Sequence, residues 1–339
     1  MSQILVTGGT GYIGSHTVVE LFNAGYEVVI VDDLSNSDIK ILDQIEKITG
    51  KRPEFVRLDL CEEKQLKAFV ESHPDITGII HFAAFKAVGE SVQHPLKYYR
   101  NNFYSLINLL TAFNSTIKLV FSSSCTVYGQ PDVLPVTESA PVKKAESPYG
   151  NTKQIAEEIL QETCSVSPEL KVIVLRYFNP VGAHDSALIG ELPIGIPQNL
   201  VPFITQSAIG KRAAITVYGD DYNTPDGSAI RDYIHVVDLA KAHVSAIKRL
   251  EKEVGKNYEV FNIGTGKGTS VLEIINAFEQ STGEKLKFTI GKRREGDIEQ
   301  TFGDVRLANE VLGWTAGLGI NEMMKSAWKW EQYLRDNPF

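Results

Sequence analysis

Ile4-Leu5-Val6-Thr7-Gly8-Gly9-Thr10-Gly11-Tyr12-Ile13-Gly14 decides the fold of this chain. The stretch reads as a short apolar strand, a glycine turn and the opening of a helix. Gly8, Gly11 and Gly14 follow the spacing G-x-x-G-x-x-G. One glycine permits the tight bend, one lets the backbone approach a pyrophosphate, and one lets the helix sit close to the strand. A helix N-terminus adds free N–H groups and partial positive charge. Placed directly after the first strand, the pattern points to a dinucleotide turn rather than to a plain β-α connection. Gly8, Gly11, Tyr12, Ile13 and Gly14 are the first cofactor-binding candidates.

Outward from that turn, the first 180 residues alternate strand and helix signals. Short apolar runs lie at Ile4 to Thr7, Glu27 to Val31, Glu54 to Leu58, Gly78 to Phe82, Ile117 to Phe121 and Lys171 to Leu175. Their nearly continuous apolar character suits parallel strands covered on both faces. Helical segments fall between them at Tyr12 to Ala24, Glu62 to Glu71, Leu96 to Phe113 and Tyr149 to Thr163. Repeated β-α-β units imply the α/β class, a doubly wound parallel sheet of Rossmann type. After residue 180 prolines and long loops break the rhythm, and a smaller mixed α/β C-terminal domain is expected. Residues 1–180 then form the nucleotide domain and 181–339 the substrate domain, with part of 230–262, Asp232 to Val236 included, returning a strand to the first. Val271 to Phe278 and Glu322 to Leu334 read as C-terminal helices.

Composition narrows the function. The chain has 339 residues, 43% of them hydrophobic and 22% charged, enough for a real core and room for two domains. Lys and Arg total 34 against 42 Asp and Glu, a net charge of −8, which argues against a broad grip on nucleic acid. No run approaches the ~20 apolar residues of a membrane helix, and the start shows no basic, signal-like region. Cys61, Cys125 and Cys164 are far apart and form no motif, so a reducing cytoplasm is expected rather than a disulfide framework. The seven histidines form no ligand cluster, and no metal is expected. Gly264 to Ser270 imitates a phosphate loop, but Phe261 stands where its first glycine would be; a turn with Thr269 or Ser270 capping a helix is the better reading.

Two further constellations carry chemistry. Asp32 ends the second strand about 20 residues past the glycines, where an acid accepts hydrogen bonds from the adenosine ribose. It repels a 2′-phosphate, and no Lys or Arg occurs from Asp33 to Ile39, so NAD is favoured over NADP; Asp33 itself reads as a solvated loop acid. Tyr149 and Lys153 are four apart, one face of a helix. A phenol is a poor base at neutral pH, and a nearby ammonium lowers its pKa. Such a Tyr takes a proton from an alcohol whose carbon gives hydride to a nicotinamide. Ser122-Ser123-Ser124 ends a strand, at the edge where open α/β sheets bind ligands.

With those residues, the runs Ala87-Val88-Gly89-Glu90-Ser91, Ser122 to Gly129, Arg176 to His184 and Arg231 to Val236 give a resemblance along essentially the whole chain. The sequence resembles the extended short-chain dehydrogenase/reductases, most closely their UDP-glucose 4-epimerase branch. The resemblance implies reversible interconversion of UDP-glucose and UDP-galactose through a 4-keto sugar with tightly bound NAD. It implies Tyr149 as acid/base, Lys153 at the nicotinamide ribose and tuning Tyr149, and Ser124 at the reacting hydroxyl. Asp59, Leu60, Phe82, Lys86, Asn101 and Tyr177 would contact the cofactor. Phe178, Asn179, Asn199, Leu200, Tyr218, Arg231, Arg294, Asp297 and Thr301 would line the UDP-sugar site. Arg294 opens the run Arg294-Glu295-Gly296-Asp297, whereas Lys292 and Arg293 read as a solvated loop.

Thr301 stands where a bulky Tyr often sits in the bacterial pattern, and in the family a small residue there accompanies room for a 2-N-acetyl group. UDP-GlcNAc and UDP-GalNAc are therefore expected as further substrates. A homodimer through first-domain helices, the 96–113 region included, is also implied. The rival readings are a nucleotide-sugar dehydratase or dehydrogenase of the same superfamily, or a non-catalytic NAD-binding regulator. Dehydratases of this kind carry an acid pair after the catalytic hydroxyl, but here Cys125 and Thr126 follow Ser124; the intact Ser124, Tyr149 and Lys153 speak against the regulator.

Overall fold

In the computed structural model, which describes residues 2–294 and 297–339, the glycine turn sits where the large sheet reverses its strand order. That sheet contains β1 (Gln3–Thr7), β2 (Glu27–Asp32), β3 (Glu54–Arg57), β4 (Ile76–His81), β5 (Lys118–Ser124), β6 (Lys171–Tyr177) and, last in sequence, Tyr258–Ile263. Its spatial order is Tyr258–Ile263, β6, β5, β4, β1, β2, β3, all parallel. β1 lies between β2 and β4, so the chain winds outward in both directions from β1. The crevice at the carboxyl ends of β1 and β4 is the switch point where such sheets bind ligands.

Alternate side chains of each strand enter two separate cores. Ile4 and Val6 of β1 join one with Val18 and Leu21; Leu5 joins the other with Leu106 and Leu160. Burial on both faces explains the nearly unbroken apolar runs of the sequence. The helix Val236–Glu251 packs against Tyr12–Asn23. Residues 236–263 thus complete the nucleotide-side layer and the edge of the large sheet.

The segment 232–236 requires a correction. Ile230–His235 does not join the large sheet; it centres a small sheet with Asn179–Val181, Gly268–Ser270 and Gln300–Thr301. There Arg231 lies beside Asp297 and Tyr233 enters a third core, a use that an apolar central strand of the large sheet could not serve. That third core gathers Ile204, Tyr233, Phe278, Met324 and Trp328. Ser270 caps the helix Val271–Thr282 in a reciprocal box with Glu273. Trp328 and Trp330, on Ile320–Asp336, are buried packing residues. Among the described residues, no helix is long and apolar enough to cross a membrane.

Candidate active site

The turn after β1 is shaped for close approach. Gly8 adopts φ +70°, and a Cβ there would meet the Ala83 nitrogen, beyond β4, at 2.9 Å. A Cβ on Gly14 would lie 2.2 Å from the Gly8 carbonyl oxygen. Gly11 begins the helix Tyr12–Asn23 with no side-chain cap and no acid in the first turn, which leaves the opening N–H groups to an anion. Asp32, buried at the end of β2, accepts from Thr10 N (3.2 Å), Leu34 N (2.9 Å) and Ser37 Oγ (3.2 Å). A carboxylate has about four acceptor sites, so one remains for a ribose hydroxyl. These features fit a dinucleotide. Asp33 is half-buried and accepts from Ser35 N at 2.8 Å.

Ser147 caps the helix Pro148–Val166, its Oγ accepting from Gly150 N at 3.1 Å, with Pro148 in the first turn. This fixes Tyr149 in the opening turn and Lys153 one turn on. Tyr149 N also donates to Ser91 Oγ (3.2 Å). At the end of β5, Ser124 caps the short turn Cys125–Tyr128. The neighbouring Ser122 hydroxyl bonds Tyr177 Oη, and Lys153 Nζ donates to the Ser122 carbonyl at 2.7 Å.

The expected lowering of the Tyr149 pKa is not what the chain's own residues produce. Burial, then Tyr177, push the phenol up, and the Ser124 hydroxyl only partly offsets them. Lys153 Nζ lies 6.0 Å from the Tyr149 ring centroid. Burial pushes its own pKa down to about 8, against the pull of Glu157. Desolvation outweighs the ammonium here.

The UDP-side candidates fall into two groups. Arg231 Nη2 lies 3.6 Å from Asp297, Arg294 Nε donates to Asp297 at 2.9 Å, and the Arg294 guanidinium stands 4.9 Å from the Tyr218 ring. Thr301, buried, pairs in register with Arg231. The Cys125 thiol is close enough to feel Arg231 and Asp232, which joins this group to the Ser124 end of the site. Glu295 and Gly296 of the Arg294 motif lie outside the described residues. Asn199 stands at the N-terminus of the helix Leu200–Ala208 without capping it, its side-chain amide donating instead to Glu191 Oε1 at 2.8 Å. Phe178 packs beneath Gly264 and Gly303 and leads into Asn179.

Of the remaining cofactor candidates, Asp59 is exposed and holds Cys61 N at 2.8 Å, and Leu60 is buried with its carbonyl bonded by Asn108. Asn101 bonds Asn102, and Phe82 packs on His243. Lys86 reaches across to Glu191 at 3.3 Å. Sequence reasoning missed several supports. Glu157 takes Ser123 Oγ and the Arg176 guanidinium beneath Lys153. Asp232 accepts from Thr265 N, Gly266 N and Gly303 N. Glu157 sits one turn after Lys153, the only signal that was available for it.

Residues 5–327 match the family model described as GDP-mannose 4,6 dehydratase. A UDP-glucose 4-epimerase of Dictyostelium discoideum is 50% identical, over 97% of this chain and 95% of its own. The chain belongs to the UDP-glucose 4-epimerase family. The solved UDP-glucose 4-epimerase of Stenotrophomonas maltophila, with bound NAD and formylated UDP-arabinopyranose, superposes with a TM-score of 0.96 at 46% identity, covering 99% of both chains. That of Bifidobacterium longum, in complex with NAD+ and UDP, gives 0.92 at 45%, again over 99% of both. For an epimerase-family chain, Cys125 and Thr126 at the end of β5 fit well: the acid pair of an eliminating enzyme is absent there, while Ser124, Tyr149 and Lys153 stand together.

Proposed function

We propose that this epimerase-family chain interconverts UDP-glucose and UDP-galactose by inverting the sugar C4 hydroxyl, with NAD retained through turnover. The observation that carries the reading is the placement of Tyr149 and Ser124 at the carboxyl edge of the sheet, between the glycine crevice and the Arg231–Asp297–Arg294 group. The bound nicotinamide supplies a reversible acceptor for the hydrogen on C4 and a positive charge for a neighbouring phenolate. Tyr149 takes the proton of the 4-hydroxyl as the 4-keto sugar forms and gives it back to the alcohol of opposite configuration. Ser124 shares that proton and orients the hydroxyl. Lys153 holds the nicotinamide ribose.

The Gly8 to Gly14 turn, Tyr12 and Ile13 included, takes the pyrophosphate of NAD and Asp32 its adenosine ribose. Asp59, Leu60, Phe82, Lys86, Asn101 and Tyr177 complete that half. Arg231 and Arg294 grip the sugar nucleotide's diphosphate, with Phe178, Asn179, Asn199, Leu200, Tyr218 and Asp297 around UDP. Binding energy in the remote UDP retains the keto intermediate while the hexose turns between faces. On this division residues 1–180, with 236–263, serve the cofactor, and the rest serve the UDP-sugar.

Thr301 supports a wider substrate range: a small side chain in register with Arg231 leaves space for the 2-N-acetyl group of UDP-GlcNAc and UDP-GalNAc. A homodimer is supported by the exposed Leu96, Tyr104 and Ile107 on one face of the helix Pro95–Ala112. Three free cysteines suit the cytoplasm.

The test is to incubate the purified protein with UDP-galactose and, separately, with UDP-GalNAc, without added NAD, and to identify the products. UDP-glucose and UDP-GlcNAc are expected. Folded, NAD-loaded protein that leaves UDP-galactose untouched rejects the function; failure with UDP-GalNAc alone rejects only the role given to Thr301.

A further inference from the structure

Glu191 is a carboxylate that reaches both halves of the site. Its backbone is fixed from behind: the Glu191 carbonyl accepts from Trp330 Nε1 at 2.8 Å, and Gly190 lies so close to Trp330 that a Cβ would sit 2.5 Å from the indole. From that anchored point its Oε1 accepts from Asn199 Nδ2 at 2.8 Å and from Lys86 Nζ at 3.3 Å. Lys86 belongs to the segment after β4, whose Phe85 N is held by Asn102 Oδ1 at 2.9 Å. Asn199 opens the helix Leu200–Ala208 on the UDP side. Close by, Tyr12 Oη donates to the Gly182 carbonyl at 2.6 Å, another bond between the glycine-turn helix and the second half. The Glu191 charge is felt at that phenol.

Stability does not explain this arrangement. The Lys86 side chain is 50% exposed, and an ion pair of that kind contributes little. The Asn199 bond is different: a charge-assisted hydrogen bond to a carboxylate only 11% exposed fixes which way the amide faces. We propose that Glu191 is a positioning residue whose hydrogen bond orients Asn199 toward UDP, with Lys86 as a second, weaker partner of the same carboxylate. This rests on the function proposed above.

The expected signature is a split between kinetic constants. Asn199 contacts a part of the substrate that does not react, so its misplacement weakens ground state and transition state alike. Glu191→Ala should raise KM for UDP-galactose about tenfold and leave kcat within about threefold. Glu191→Gln keeps an acceptor for the Asn199 amide, and its KM should stay within about threefold of wild type. In an Asn199→Ala background, Glu191→Ala should add little more.

An unchanged KM in Glu191→Ala overturns the proposal; so does an equal rise in Glu191→Gln, or a second tenfold rise on top of Asn199→Ala. If Glu191→Ala loses its cooperative thermal transition, Asn199→Asp carries the test. Two facing carboxylates should raise KM, Glu191→Gln should relieve most of that rise, and no relief overturns the proposal. Wild-type turnover in the same assay separates the outcomes, because a silent wild type fails the function and a wild-type-like Glu191→Ala fails only this inference.

Discussion

At the glycine-turn end of the crevice, Gly8, Gly11 and Gly14 present backbone, and a single Cβ at Gly14 would come within 2.2 Å of the Gly8 oxygen. At the Arg294 end, side chains face one another: Arg294, with 56% of its side chain exposed, pairs with Asp297, which Arg231 also approaches. The first end is a shape and tolerates no added atom. The second is a set of charges, Arg231 on the strand Ile230–His235 and Arg294 and Asp297 on a loop, in which the exposed Arg294 can change partner at small cost because exposed pairs are weak. Tyr149 and Ser124 stand at the seam, on rigid elements that belong to the first.

The largest effect should come from the seam. Tyr149→Phe removes the phenol proposed as proton carrier and leaves the helix cap, Lys153 and the glycine turn in place. Turnover should fall on the order of a thousandfold, within the range of general acid–base contributions. NAD content and thermal midpoint should stay at wild-type values. Near-normal kcat would remove Tyr149 from the mechanism, and loss of NAD as well would show that the phenol belongs to the cofactor half.

Gly14→Ala should break the shape-built end. The new Cβ meets backbone, not a flexible side chain, so the helix Tyr12–Asn23 must move off the turn. Purified protein should carry well under half the wild-type NAD, measured as nucleotide released on denaturation. Alanine substitution of Arg294 should leave NAD content unchanged. Full NAD content in Gly14→Ala would mean that the turn yields as readily as the loops do.

The same contrast explains what was legible in the sequence. Glycine spacing is a local code, and six of the seven strands of the large sheet show as apolar runs, five of them largely buried and β3 a short half-exposed edge. Tyr258–Ile263 escaped because 80 residues, 178–257, separate it from β6 and more than half of them lie outside the large sheet's layers, and Tyr258-Glu259-Val260 reads as a half-exposed edge. Tyr149 and Lys153 were legible through their helical spacing. Glu157, Glu191 and Asp232 were not: an acid on a helix or loop looks like a solvated charge until the fold supplies Arg176, Asn199 or the N–H groups of Thr265 and Gly266. The expectation for the Tyr149 pKa failed for a related reason, since spacing gives the ammonium's direction but not how deeply the phenol is buried.

The last test of the comparison is the effect of pH on stability, and it should fall on the buried imidazoles. Burial pushes His16 and His81 down to about 3 and His235 and His243 to about 4. His16 lies on the glycine-turn helix, His81 at the end of β4 and His243 against Phe82 and Tyr177. In the unfolded chain each imidazole titrates near 6.5. Above that pH both states are neutral and the full stability is present. Between about 6.5 and 4 only the unfolded chain binds protons, so stability falls as pH falls, by on the order of 1 kcal/mol per histidine per unit. Half-buried Glu20 and Glu138 and buried Asp232 are pushed up and act in the opposite sense as they protonate, so the histidine contribution is cleanest in the upper part of that window. Urea unfolding at pH 7, 6 and 5 should show a falling midpoint. High salt at pH 7, which screens Arg294–Asp297 and similar surface pairs, should move the midpoint less than the step from pH 6 to pH 5 does. A midpoint indifferent to acid but sensitive to salt would reverse the comparison, making surface charge, not the buried nucleotide half, the part that holds this fold.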